Sequence, residues 1–179
     1  MTTFFGSVLA RQRPALISGQ LIWLLCLAIG VWLSGDIPSA VRAEPKNPGS
    51  GLFLGILANN AGVAALAFTG IVTFGLSAVA FSLISGLGVG IFIGHAYSLG
   101  AGKFWSAFLP HAVIELPALG VSVAAGLVTG VAAARRMLGG RRTGDDSMSR
   151  HLIDAAVLFG LSLAMLVVAA GVETWISSR

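Results

Sequence analysis

The stretch Phe104 to Ala118, FWSAFLPHAVIELPA, decides how the rest of the chain is read. It sets ionisable groups at the head of an apolar run that continues to Ala134. Pro110 has no N–H to give, so its expected place is the first turn of a helix, where that donor would have no partner anyway. His111 and Glu115 then stand four apart. On a helix this spacing puts both side chains on one face, with Glu115 roughly 6 Å further along the axis. In hydrocarbon a carboxylate costs about 2.5 to 3.5 kcal/mol unless it faces protein, water or a counter-ion, so an acid placed here marks a functional site by default.

The surrounding composition makes that hydrocarbon a membrane. The 179 residues are 56% hydrophobic and 10% charged, with a mean hydropathy of +0.90. A soluble domain with a polar surface to cover is excluded. At about 20 residues per crossing the apolar blocks supply five spans. The expected fold is an all-α membrane bundle of five transmembrane helices, with a short interfacial aromatic segment (Lys103, Phe104, Trp105, Phe108) before the fourth. The net charge of +4 does not point to nucleic acid. Arg135, Arg136, Arg141, Arg142 and Arg150 crowd one short loop, which is a topology signal. Cys26 is the single cysteine and can form no intrachain disulfide.

In chain order, residues 1–14 carry Arg11 and Arg13 and are expected as a cytoplasmic tail, followed by span one at 15–34 and an outer loop at 35–50 with Asp36, Arg42, Glu44 and Lys46. Val41-Arg42-Ala43 resembles a cleavage site, but the apolar run exceeds a signal-peptide core, so span one is expected to be retained. Residues 51–134 hold spans two to four, with a tight turn expected around Phe74 to Ala78. Residues 135–150 form a basic cytoplasmic loop, and 151–179 hold span five, with Asp154 near its start read as interfacial and structural. Counting crossings back from the basic loop puts the N-terminus inside and the C-terminus outside the cytoplasmic (inner) membrane.

Two patterns remain. Gly86, Gly90 and Gly94 in span three, and Gly126 and Gly130 in span four, leave stripes without side chains and read as packing seams. Asn59 and Asn60 interrupt span two, where amides need partners that lipid cannot supply, so both are expected to face other helices. His95 and Tyr97 close span three near the interface, where a lone histidine reads first as solvated or capping. The topology puts Asn59, Asn60, His95, His111, Glu115 and Glu173 all in the outer half. A polar cluster of Asn59, Asn60, His111, Glu115 and Glu173, with Glu115 at its centre, follows from the cost of leaving each alone in lipid.

Three motifs resemble the stage II sporulation protein M family of integral membrane proteins. The first is LANNAGVAALAFTG, with Asn59, Asn60, Phe68 and Gly70. The second and most specific is FWSAFLPHAVIELPALGVSVAAGLVTG, with Pro110, His111, Glu115, Leu116, Pro117, Gly126 and Gly130. The third is AAGVE, ending in Glu173. Together they cover roughly residues 53 to 175. One departure is Ser85-Gly86, where family members often carry Asn-Gly. The resemblance implies a membrane anchor that holds peptidoglycan-degrading partners on the outer face of the membrane.

Three functions are weighed on these residues. A scaffold would use the buried polar groups to hold the bundle and its outer surface to recruit membrane or envelope proteins, peptidoglycan hydrolases among them. An intramembrane hydrolase would use Glu115, His111 and Glu173 to bind a metal or pass protons, although HxxxE is not the HExxH string of a metalloprotease. A transporter would use acids and amides at one depth, but no internal repeat is visible and a homo-oligomer would have to supply the second half. No cofactor is required by the pattern; the one it could take is a divalent metal on His111, Glu115 and Glu173.

Overall fold

The computed structural model describes residues 4–35, 47–98, 101–139 and 147–177. Asp36, Arg42, Glu44 and Lys46 of the first loop and Arg141, Arg142, Asp145 and Asp146 of the basic loop lie outside these residues, as does Val41 to Ala43. Six α-helices are found among the described residues: α1 (Phe4–Arg11), α2 (Arg13–Leu33), α3 (Ser50–Phe68), α4 (Leu76–Ser98), α5 (Ala101–Met137) and α6 (Met148–Val172). A 3₁₀ turn at Thr69–Ile71 follows α3 and a π turn at Glu173–Ser177 follows α6. All but α1 are long and apolar enough to cross a membrane.

The hub is α5, because its sequence gives neighbours room. Within its membrane stretch 67% is buried, against 17 to 33% for the other four. Ala118, Gly120, Ser122, Ala124, Ala125, Gly126 and Thr129 are buried on successive faces, so other backbones can come close all round. A Cβ on Gly19 of α2 would lie 2.7 Å from the Ala124 Cα, and one on Gly126 would collide with the Ala67 carbonyl of α3. A Cβ on Gly130 would meet the Phe74 carbonyl in the turn after α3. In lipid, where apolar burial gives helices little reason to associate, such contact and a few interhelical hydrogen bonds carry the packing. Three of those bonds meet α5. Gln20 Nε2 donates to the Pro117 carbonyl and Ser162 Oγ to the Ala118 carbonyl, both at 2.8 Å. Thr129 Oγ1 donates outward to the Ile71 carbonyl at 2.8 Å.

The seam of α4 faces α2. A Cβ on Gly86 would sit 2.7 Å from the Cys26 Cβ, one on Gly90 would collide with the Leu27 carbonyl, and one on Gly94 would press into Ser34. Between α3 and α4 the turn covers Thr69 to Gly75, slightly earlier than expected. It closes on a Gly75 N–H to Gly70 carbonyl bond of 2.7 Å, with Phe74 at φ 51° and Gly75 at φ 92°.

Pro110 does not start a helix. The aromatic stretch ahead of it is already helical and continuous with α5, which contains both Pro110 and Pro117. Each proline removes one i→i−4 bond, so the carbonyls of Ser106 and Val113 lose their α-helical donors. Such breaks are tolerated where neighbouring helices surround the backbone. The first residues also go beyond a tail: α1 is a helix whose Val8 is fully buried, in one cluster with Ala125, Val128 and Leu158.

This packing defines two ends of the bundle. One holds α1, the start of α2, the turn after α3, the end of α5 and the start of α6. The other holds the end of α2, the starts of α3 and α5, the end of α4 and the π turn.

Candidate functional site

At the second end, α5 delivers His111 and Glu115 one turn apart, and the π turn delivers Glu173. One ligand atom from each of the three lies within 4.8 Å of the others. Ser177 closes the same turn, and its Oγ is 3.1 Å from His111 Nδ1. The edge of the Phe108 ring meets the imidazole, with centroids 5.4 Å apart and planes at 79°. His111 is thereby only 9% exposed. The three residues offer one nitrogen and carboxylate oxygens, a donor set that suits a divalent first-row metal ion or a shared proton.

The asparagines divide. Asn60 is buried, whereas Asn59 is on the exposed side of α3 and does not face another helix as expected. Neighbouring residues on a helix point about 100° apart, so the two cannot both turn inward. Asn59 Nδ2 donates instead to Asn60 Oδ1 at 3.2 Å. The depth of the pair follows from packing. Helices α3 and α5 run the same way, with Ala64 packed beside Leu119 and Ala67 beside Val123 and Leu127. Asn60 stands about 10 Å and Glu115 about 16 Å before the Ala67–Gly126 contact, which puts the amide about one turn nearer the middle.

His95 stands apart. Its Nε2 donates to the Ser34 carbonyl at 2.7 Å, capping the end of α2. Around this end stand Phe53 stacked on Trp175 at 5.4 Å and Tyr97 edge-on to Trp105 at 6.0 Å. Such amphipathic rings favour the membrane–water interface.

The opposite end contains a site that sequence reading did not assemble. Asp154, read as an interfacial acid, is 1% exposed and accepts from Arg11 Nε at 3.0 Å and Arg11 Nη2 at 2.6 Å. Gln12 Nε2 adds a third donor at 2.8 Å. This fork matches a guanidinium to a carboxylate, and the hydrogen bond to Asp154 raises the Arg11 pKa above its ordinary value. Beside the pair is a half-open cleft of about 310 Å³ lined by Phe4, Ser7, Arg11, Arg150, Ile153 and Asp154.

Five membrane-length helices packed about a small-residue hub define a multi-pass membrane protein with polar groups gathered at its two ends. Residues 20–178 match the family model for Stage II sporulation protein M, and the chain belongs to that family. Comparison with curated proteins and with solved structures gave no match.

Proposed function

We propose that the protein is a membrane scaffold that anchors partner proteins, such as cell-wall-remodelling enzymes, at the outer face of the cytoplasmic membrane. The end carrying His111, Glu115 and Glu173 is the outer one in this reading, with the N-terminus inside and the C-terminus outside. Arg11, Arg13, Arg135, Arg136 and Arg150 belong to the opposite end, which supports placing that end in the cytoplasm.

The observation that carries the scaffold reading is the middle of α5. From Ala118 to Val128 it is buried in close-packed small and apolar side chains, with Ala118, Ala124 and Ala125 at 0% exposure. Transport sites are formed near the bilayer midplane, commonly at broken helices lining a cavity. Here the middle is closely packed and the charged side chains among the described residues stand toward the ends, as suits a platform that presents one face. A second reading, an intramembrane metal- or proton-dependent hydrolase, is supported by the proximity of His111, Glu115 and Glu173.

Photo-crosslinking in cells tests the platform. A crosslinker in place of exposed Tyr97 or Trp105 is expected to capture an envelope protein with a cell-wall-degrading domain, whereas one in place of Met137 is not. Capture of such a protein from Met137 alone would contradict the reading.

A further inference from the structure

We infer that His111, Glu115 and Glu173 form a binding site for one divalent transition-metal ion, with Zn²⁺ as the reference occupant. The site stands whether or not a partner protein is recruited, since it rests on the side chains of α5 and the π turn alone.

The first ground is the donor geometry. One imidazole nitrogen and two carboxylate oxygens already lie within 4.8 Å of one another. A four-coordinate ion with bonds of about 2.1 Å sets its ligand atoms about 3.4 Å apart. Closing the difference takes side-chain rotation and leaves the helices where they are. Imidazole with carboxylates suits zinc, manganese, iron, cobalt or nickel; Cys26, the only thiol in the chain, packs instead against Gly86. Three protein ligands leave a fourth position for water, the pattern of open zinc sites.

The second ground is the orienting contact. A metal-binding histidine commonly donates its other ring N–H to a partner that fixes the tautomer and the ring plane. The Ser177 Oγ is 3.1 Å from His111 Nδ1 and can accept that proton, which makes Nε2 the lone-pair nitrogen for the ion. Phe108 holds the ring from another side.

The third ground is the backbone. Glu173 and Ser177 are the first and last residues of a π turn at the end of α6. Widened turns of this kind occur frequently at functional sites. Here the turn brings one ligand and one orienting hydroxyl to the same imidazole. A metal would therefore clip the end of α6 to the head of α5.

The test uses the full-length protein in detergent after chelation. Zn²⁺ titration by competition with a fluorescent chelator is expected to show one ion per chain and to raise the melting temperature. Glu115→Gln and Glu173→Gln should each weaken binding by at least about tenfold, and Ser177→Ala by about tenfold through loss of ring orientation. His95→Gln, outside the group of three and bonded to the Ser34 carbonyl, should bind as the wild type does. X-ray absorption of the zinc-loaded wild type supplies a readout that needs no variant: a nitrogen and oxygen shell with one imidazole is expected. No stoichiometric binding, wild-type affinity in both Glu115→Gln and Glu173→Gln, or a shell with sulfur or several imidazoles would overturn the proposal. The crosslinking experiment above reads partner recruitment separately, so the two readings can fail independently.

Discussion

The two ends of the bundle handle their acids in different ways. At one end a single carboxylate, Asp154, receives a bidentate arginine and a glutamine, so its charge is balanced and its oxygens are occupied by the protein itself. At the other end Glu115 and Glu173 share one imidazole. A closed ion pair is a fastening, whereas two acids with a histidine can exchange a proton or take a cation. The same chemical group thus serves packing at one end and, in the proposal above, metal binding at the other.

The largest expected effect breaks the fastening. Arg11→Ala leaves Asp154 buried without its partner, and loss of one member of a buried pair costs about 3 to 5 kcal/mol. The lower end of that range is expected because Arg11 is itself 37% exposed. Unfolding of the purified protein in denaturing detergent measures it, and Arg11→Met with Asp154→Leu should recover much of the loss. Stability unchanged in the single variant would remove the contrast between the ends.

Next in size is the seam between them. Gly90→Leu drives a side chain into the Leu27 carbonyl and the Gly30 backbone of α2, where overpacking costs about 1 to 3 kcal/mol. Gly88→Leu, at a position with nothing within 4 Å, should be tolerated. Equal melting temperatures for the two variants would argue against the seam. A smaller effect, about 0.6 kcal/mol, is expected for Ser162→Ala, which removes one interhelical hydrogen bond to α5.

These contrasts also show what could be read from residues alone. Apolar run lengths give the five spans, and the four-residue glycine spacing in α4 marks the face that meets α2, because both depend on local periodicity. Pro110 misled because proline's usual place is a first turn, and only the surrounding helices make an interior proline tolerable. The Arg11–Asp154 pair spans 143 positions, and no local pattern announces it. Its one available signal was that both residues sit beside a cytoplasmic boundary in the expected topology. Asn59 was placed inward on the cost of a lipid-facing amide, a cost its bond to Asn60 partly offsets.

The most direct measurement compares the ends in one assay: melting temperatures of metal-free Asp154→Asn and Glu115→Gln against the wild type. Neutralising Asp154 removes a charge that its neighbours are built to hold, and hydrogen bonds to charged groups are worth about 1.5 to 3 kcal/mol. Neutralising Glu115 removes one of two like charges while keeping shape and hydrogen-bonding capacity. The expected result is a lowered melting temperature for Asp154→Asn and an unchanged or raised one for Glu115→Gln. A fall for Glu115→Gln as large as that for Asp154→Asn would contradict the account, since Glu115 and Glu173 would then be a fastening too.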